Sequence, residues 1–349
     1  MKVILVGYDI SDIPKKIKKL PNLSIRYIFP FLYKRYFLQT LLWPFQFIYY
    51  LIQMIGIAVN ISSLNLVIST TTFYFIETIC GIIVSKIHHS ILIYDISIFS
   101  WYDHQITSFI TKKLFSYGNF LICPTHSIEV VLKLAGFRPF IIPNAPDSDL
   151  IFVTEKVRNK LFNFLNVDEN SFFIAVPISE FDHDKIDALE NAANYLKRYG
   201  KPITFIVFGS GKLQEKFKDN INKIKIKNID LKFFPFQYDI YPSVLSAFDI
   251  GIYFPESEFV LEISPRLLEM AASGIPIIAF RFGCVNEIVK ENVNGIVLNN
   301  INELGSKLKE IIINKSVDLQ SLRRSSALED MNHKADELWD QAFDEILSK

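Results

Sequence analysis

The sequence predicts an α/β protein of two Rossmann-like domains, each built on a parallel sheet, the two facing each other across a cleft. Three observations carry this. Short runs rich in Ile, Val and Phe alternate with longer segments of helical period, and the runs are apolar almost throughout, as strands covered on both faces must be. The alternation breaks after residue 142 and restarts near residue 170. Between them, Pro143–Asp149 (PNAPDSD) is dense in turn formers.

In order, strands are expected at Lys2–Val6, Ser24–Phe29, Leu64–Ser69, Ile91–Tyr94, Phe120–Cys123 and Phe140–Ile142. Helices are expected at Phe73–Lys86, Gln105–Tyr117 and Ser127–Leu134. After the break, strands fit Phe172–Pro177, Ile203–Phe208, Leu231–Phe234, Ile250–Phe254, Ile277–Phe280 and Ile296–Leu298. Helices fit Lys185–Arg198, Leu213–Asn220, Tyr241–Ala247, Pro265–Ala272 and Asn302–Ile313. The resulting domains are 1–160 and 161–325, with 326–349 a helix packing back on the first. In doubly wound sheets ligands sit at the carboxyl ends of the strands, so the facing cleft is the expected site.

Composition narrows the partners. The 349 residues carry 37 basic and 37 acidic side chains, a formal net charge of zero. Without a positive field, nucleic acid is not expected as a partner. Cys80, Cys123 and Cys284 are odd in number and far apart; they suit a reducing compartment and give neither a disulfide framework nor a zinc spacing. The histidines form no metal pattern, and no Asp-x-Asp pair closes a strand, so no metal and no cofactor is expected. Met1–Tyr8 reads as a strand rather than a signal peptide.

The chemistry concentrates late in the chain. Ser264 fits an N-cap, Pro265 suits the first helical turn, and Gly274 with Pro276 stops the helix. A helix start offers N–H donors and a positive dipole end, which suit a diphosphate. Arg266 beside it can fork onto phosphate oxygens, and Glu269 one turn on can accept from the hydroxyls of a ribose. The plainer reading is a capped surface helix with a solvated Arg–Glu pair. Gly209-Ser210-Gly211-Lys212 closes a strand, where glycines admit a phosphate close to the backbone; a G-x-G after a strand is also a common turn. Arg281–Glu287, then Asn294-Gly295, reads as a strand-to-helix loop followed by a turn, with Glu287 placed to meet a ligand.

Together these segments resemble the carboxyl-terminal domain of GT-B glycosyltransferases. Residues 242–298 are similar in finer detail to the chitobiosyldiphosphodolichol β-mannosyltransferases: Ser246-Ala247-Phe248-Asp249-Ile250-Gly251, then Glu262 three residues before Pro265, then Phe282-Gly283-Cys284 with Glu287, then Glu291 and Asn294-Gly295. Phe115–Pro124, Phe173–Leu189, Leu322–Ala327 and Leu338–Leu347 resemble further segments of that family. The resemblance implies a GT-B fold with an acceptor-binding first domain and a nucleotide-sugar-binding second. It implies transfer of mannose from GDP-mannose, as co-substrate, to a polyprenyl-diphosphate-linked glycan with inversion, in the manner of a β-1,4-mannosyltransferase. Gly209, Gly211, Lys212, Glu262, Ser264, Arg266, Glu269 and Glu287 are the expected donor-binding residues. Retaining GT-B relatives carry two Glu with seven residues between them; Glu262 and Glu269 have six, which fits the inverting reading. The family's acidic–aromatic–His–Asn motif is Tyr94-Asp95-Ile96-Ser97 here, without the His. Its glycine-rich first loop is reduced to Gly7-Tyr8-Asp9, and Glu180 or a neighbour replaces its Trp. A retaining transferase with another nucleotide sugar, and an inactive GT-B subunit bound to partner glycosyltransferases, stay open as alternatives.

Inversion needs a base near the attacking hydroxyl. Asp95, at the end of a strand, is the first candidate and Glu180 the second; each is equally well read as a loop carboxylate capping a neighbouring helix. His88 and His89 are expected at the surface. A different signal comes from Tyr36–Ile76, which has no charged residue or His over 41 positions. Within it Leu38–Val59 is long enough to span a bilayer, but Gln39, Gln46 and Gln53 make one narrow polar stripe, and Pro44 and Gly56 interrupt it. A helix lying on a membrane surface, a buried helix and a span are all compatible. The first suits a lipid-linked acceptor best, with 36–60 as the membrane-facing segment and Lys34, Arg35 and nearby lysines meeting headgroups. The expected location is the cytoplasmic face of a membrane.

Overall fold

A computed structural model of the chain describes residues 3–6, 52, 56, 66–70, 75–96, 110, 112–146, 158–161, 164, 167–168, 170–178, 183–197, 199–209, 226–235, 241–255, 260–323 and 327–348. It divides into two compact units, Met1–Pro143 with Asp336–Lys349, and Asn144–Ala335. Each is an α/β unit on a parallel sheet, the GT-B pattern.

In the first unit the strands are β1 (Val3–Val6), β2 (Leu66–Thr70), β3 (Ile91–Asp95), β4 (Phe120–Cys123) and β5 (Phe140–Ile141). They lie side by side in chain order, all parallel. Helix α1 (Phe75–His88) joins β2 to β3, a helical stretch including 112–115 joins β3 to β4, and α2 (His126–Leu134) joins β4 to β5. Right-handed crossovers taken in one direction put their helices on one face of a sheet. Side chains agree: a Cβ at Gly81 of α1 would meet Ser69 and Leu92, and Phe115 packs on Tyr94 with ring centroids 5.4 Å apart. The alternate residues Leu66, Ile68, Ile93 and Ile122 point to the opposite face and form a core with Trp339, Ala342, Phe343 and Ile346.

In the second unit the strands are β6 (Phe172–Ile178), β7 (Ile203–Gly209), β8 (Ile229–Pro235), β9 (Ile250–Tyr253), β10 (Ile277–Phe280) and β11 (Gly295–Leu298). Their order is β11-β10-β9-β6-β7-β8, all parallel. The helices are α3 (His183–Leu196), α4 (Tyr241–Val244), α5 (Pro265–Ala272), α6 (Val285–Ile288), α7 (Leu304–Ile312) and α8 (Leu319–Leu322), followed by α9 (Ala327–Ser348). Strand residues split by parity. Ile174, Val176, Phe205, Val207, Ile252 and Ile278 pack on α3 and α7; Phe173, Ala175, Ile206, Phe208, Tyr253 and Ala279 pack on α4, α5 and the start of α6. Apolar residues at both parities are the reason these strands read as continuous hydrophobic runs.

The division falls earlier than the expected 160 because Arg158 and Leu161 belong to the second unit. Leu161 joins its core. Arg158 forks onto Asp249, Nη1 to Oδ1 at 3.0 Å and Nη2 to Oδ2 at 3.1 Å. Likewise the second break falls inside α9, after Ala335 rather than before residue 326. Two expected helices also differ in form at one end. The helix at 241–247 tightens after Val244 into a 3₁₀ turn, Leu245–Ala247. The helix at 302–313 is preceded by a 3₁₀ turn, Ile301–Glu303, capped by the Asn300 side chain. The expected elements at Ser24–Phe29 and Leu213–Asn220 lie outside the described residues, as does nearly all of Leu38–Val59. Of that segment Ile52 and Gly56 are described, both helical and exposed. Among the described residues no helix is long and apolar enough to cross a membrane.

Candidate functional site

The strand order of the second unit reverses direction between β6 and β9, so its switch point lies at their carboxyl ends. Of the expected donor residues, Gly209, Glu262, Ser264, Arg266, Glu269 and Glu287 lie on that edge or on the elements that leave it. Gly209 is the last residue of β7, paired with Ile178 of β6 and Pro235 of β8. The chain leaving β9 leads through residues 260–263 into α5, and the chain leaving β10 leads through Arg281–Cys284 into α6.

Close packing brings the last two together. A Cβ on Gly283 would lie 2.8 Å from the Val260 carbonyl oxygen and 2.9 Å from a Leu261 methyl. Only a residue with no side chain lets these two loops touch. Cys284 follows, buried, with Sγ 4.0 Å from the Val260 carbonyl. Burial, with the charges of Glu287 and Glu262 nearby, pushes its thiol up to about 12. A thiol so protonated is inert. Glu262 and Glu287 both lie close enough to Cys284 for their charges to act on it.

Helix α5 has the bounds the sequence predicts, Pro265–Ala272. Pro265 supplies the first turn, and Gly274 beyond the end adopts φ 72°. One expectation is corrected. Ser264 occupies the cap position, but its hydroxyl makes no capping hydrogen bond. With φ −57° and ψ 137°, it contributes its carbonyl instead, which accepts from the N–H groups of Leu267 and Leu268 at 3.0 and 3.1 Å. The helix start is thus set by backbone and proline rather than by a side-chain cap.

Beyond that start stand Arg266 and Glu269, both half-buried. Glu269 Oε2 is buried and accepts no hydrogen bond among the described residues. Burial raises its carboxyl from 4.5 to about 7, opposed by the positive charge of Arg266. A buried carboxylate oxygen without a donor is costly, and this one stands on the helix that follows the carboxyl end of β9. Beneath it lies Tyr241, a residue the motif reading passed over. Its ring packs edge-on against Phe208 with centroids 5.0 Å apart, and its hydroxyl donates to the Arg266 carbonyl at 3.4 Å. Burial and the Glu269 charge both raise the phenol. Tyr241 thus ties the end of β7 to α5. Its signal in the sequence was the Tyr-Pro pair opening a helix.

Asp95 ends β3 in the first unit, between Thr70 of β2 and Ile122 of β4, half-buried. Glu180, Gly211 and Lys212 lie outside the described residues. His88, expected at the surface, is half-buried, and its Nε2 is covered. Among the described residues no group of His, Cys, Asp or Glu is placed to hold a metal ion.

Residues 173–314 match the family model "Glycosyl transferases group 1". The chain is 28% identical over 194 residues to the chitobiosyldiphosphodolichol beta-mannosyltransferase of Candida albicans, covering 54% of this chain and 42% of that one. It is 23% identical over 225 residues to the enzyme of the same name from Kluyveromyces lactis, covering 63% and 50%. The chain therefore spans half or less of the length of these curated relatives. Among solved structures, Anabaena HepE in complex with UDP and glucose superposes over the whole of both chains with a TM-score of 0.72 at 18% identity. Sucrose-phosphate synthase from Thermosynechococcus elongatus gives 0.69 at 12%. At those identities the likeness establishes the fold.

Proposed function

We propose that this chain, a GT-B protein resembling the chitobiosyldiphosphodolichol β-mannosyltransferases, is an inverting glycosyltransferase that moves mannose from GDP-mannose to a polyprenyl-diphosphate-linked glycan at a membrane surface. The observation that carries the reading is Glu269, whose buried Oε2 has no hydrogen-bond partner among the described residues. It stands one turn into a helix that begins at the switch-point edge. Two adjacent ribose hydroxyls supply the donors such an oxygen lacks. The start of α5, with Arg266, receives the diphosphate, and the glycines after β7 let it approach the backbone. Glu262, on the loop leaving β9, and Glu287, in α6, bind the sugar hydroxyls.

In the reaction a base takes the proton of the acceptor hydroxyl while its oxygen forms a bond to the anomeric carbon. The bond from that carbon to the diphosphate oxygen breaks, and GDP leaves with the electron pair. Arg266 and the helix start stabilise the charge that develops there. Asp95 is the proposed base, since it ends a strand at a carboxyl edge, with Glu180 second. A second reading, an inactive GT-B subunit that binds partner enzymes, is favoured by one observation: Ile96-Ser97 follows Asp95 where the family has His-Asn.

Calorimetry with GDP-mannose tests the donor site, and absence of binding to any nucleotide sugar overturns the enzymatic reading. Incubation with labelled GDP-mannose and a chitobiose-diphosphate lipid, followed by digestion with linkage-specific mannosidases, tests the chemistry. A β-linked product is expected. An α-linked product makes the enzyme a retaining one, and binding without turnover favours the inactive subunit.

A further inference from the structure

The carboxyl edge of the first sheet holds a side-chain pair that the proposed reaction leaves unused. Asp95 ends β3 in register with Ile122 of β4, and the Ile96 N–H donates to the Ile122 carbonyl at 2.8 Å. Four residues beyond Ile122 the chain enters α2 at His126. What lies between is fixed. Cys123, Pro124 and Thr125 are buried, and the Cys123 thiol meets the Thr125 carbonyl, Sγ to O at 3.7 Å. Thr125, in extended backbone, caps the helix, its Oγ1 accepting from the Ile128 N–H at 3.1 Å. His126 is therefore set on the same edge as Asp95, one strand along.

Its ring is also set. A carboxylate accepts and cannot donate, so the contact of Nδ1 with Glu129 Oε2 at 3.2 Å puts the ring proton on Nδ1. Nε2, across the ring, then carries a lone pair. Glu129 is held in turn: its other oxygen takes Lys133 Nζ at 2.6 Å, and its side chain is 14% exposed against 72% for His126. Lys133 first, and His126 with it, hold the Glu129 carboxyl below its usual range. Helix stability does not account for the imidazole. Thr125 already caps the start, Lys133 already pairs with the acid, and a cation in the first turn opposes the helix dipole.

The charge of this edge says what the pair takes. Among the described residues between 66 and 143, Asp95 and Glu129 stand at the carboxyl edge, whereas Lys86, Lys112, Lys113 and Arg138 stand where helices end and strands begin. Two carboxylates and an imidazole lone pair accept hydrogen bonds from hydroxyls, and the carboxylates repel a diphosphate. We propose that His126, oriented by Glu129, is an acceptor-binding residue that takes a sugar hydroxyl of the acceptor glycan on Nε2, beside Asp95. The inference deepens the proposed function and rests on its glycan acceptor, not on the diphosphate or the lipid.

Binding needs no turnover, so it can be tested apart from the reaction. Octyl chitobioside, a glycan without a diphosphate, is titrated into the full chain and followed by saturation-transfer NMR and by the His126 Cε1–H resonance, identified by its loss in His126→Ala. The resonance should move with the glycoside and stay still with pyrophosphate. His126→Ala should weaken the glycoside about fivefold and Glu129→Ala about twofold. His126→Gln should recover part of the loss, since its amide oxygen can accept near the place of Nε2. In the transfer assay the same loss should appear in the acceptor KM, with kcat and GDP-mannose affinity unchanged. Wild-type glycoside affinity in His126→Ala, a resonance that answers pyrophosphate and not the glycoside, or a loss confined to the chitobiose-diphosphate lipid would each overturn the proposal. A chain that binds the glycoside through His126 but transfers no mannose would sink the proposed reaction and leave this inference standing. An active chain whose acceptor KM ignores His126 would do the reverse.

Discussion

The second unit winds its chain outward from the middle, with β7 and β8 to one side of β6 and β9, β10 and β11 to the other. The first lays β1 to β5 down in chain order. The two orders have different consequences. Reversal sends helices to both faces and leaves a crevice at β6 and β9 where loops from several strands meet. From β2 to β5 the sequential order sends the described crossovers to one face, and the last helix packs on the other. Here Trp339, Phe343 and Ile346 of α9 cover it.

The largest expected effect attacks the borrowed cover. Trp339→Ala should destabilise the first unit by about 3–5 kcal/mol, while the second keeps its stability and its donor affinity. Separate unfolding steps in calorimetry check this, and a single shifted transition would show that the units unfold together. Next comes the staple of the second unit. Asp249 takes both nitrogens of Arg158 and the Phe173 N–H at 2.8 Å, and Arg323 Nη2 donates to the adjacent Phe248 carbonyl at 2.6 Å. Asp249→Ala strands the Arg158 and Phe173 donors and should cost about 2–4 kcal/mol, read as a lower denaturation midpoint with any ligand site at the opposite edge intact.

Glu269 gives the third prediction, and it has two signs. Its carboxyl is raised to about 7, so the folded protein holds a proton that the unfolded chain releases above 4.5. That contribution to stability is complete below 4.5 and is lost as pH rises to about 7. Glu269→Gln should therefore stabilise the ligand-free protein above pH 7, by up to about 3 kcal/mol, and match the wild type near pH 4.5. The same change should weaken nucleotide-sugar binding by about 2 kcal/mol. Wild-type affinity should fall up to roughly tenfold per pH unit below 7, as the carboxylate that accepts the ribose hydroxyls is neutralised. Melting curves and calorimetry over pH 5–8 read both signs; a flat affinity profile would remove Glu269 from the site. Smallest is Gly283→Ala. Its Cβ would press on the Val260 carbonyl, so the loop must shift, with a cost of about 1–2 kcal/mol and a several-fold loss of donor affinity.

How much of this was legible depends on how local the cause is. Helix α5 was readable to the residue, because Pro265, Gly274 and Pro276 act within the segment they bound. The strands of the second sheet were readable because burial on both faces leaves a run with no alternation. Asp249 with Arg158 was not readable as a pair, since 91 residues separate them and neither carries a local signature. Tyr241 is core, and its tie to the Arg266 carbonyl exists only once β7 and α5 are packed. The Ser264 hydroxyl shows the converse: a residue of the right type at the right position, whose side chain the backbone did not need.

That Asp336–Lys349 belong to the first unit has a consequence for synthesis. The ribosome releases β1 to β5 long before the residues that cover one face of their sheet, and the whole of the second unit is made in between. The second unit can complete its core while the chain is still growing. The core that Leu66, Ile68, Ile93 and Ile122 share with Trp339 and Phe343 is complete only once α9 has been made, so the half made first is the half finished last.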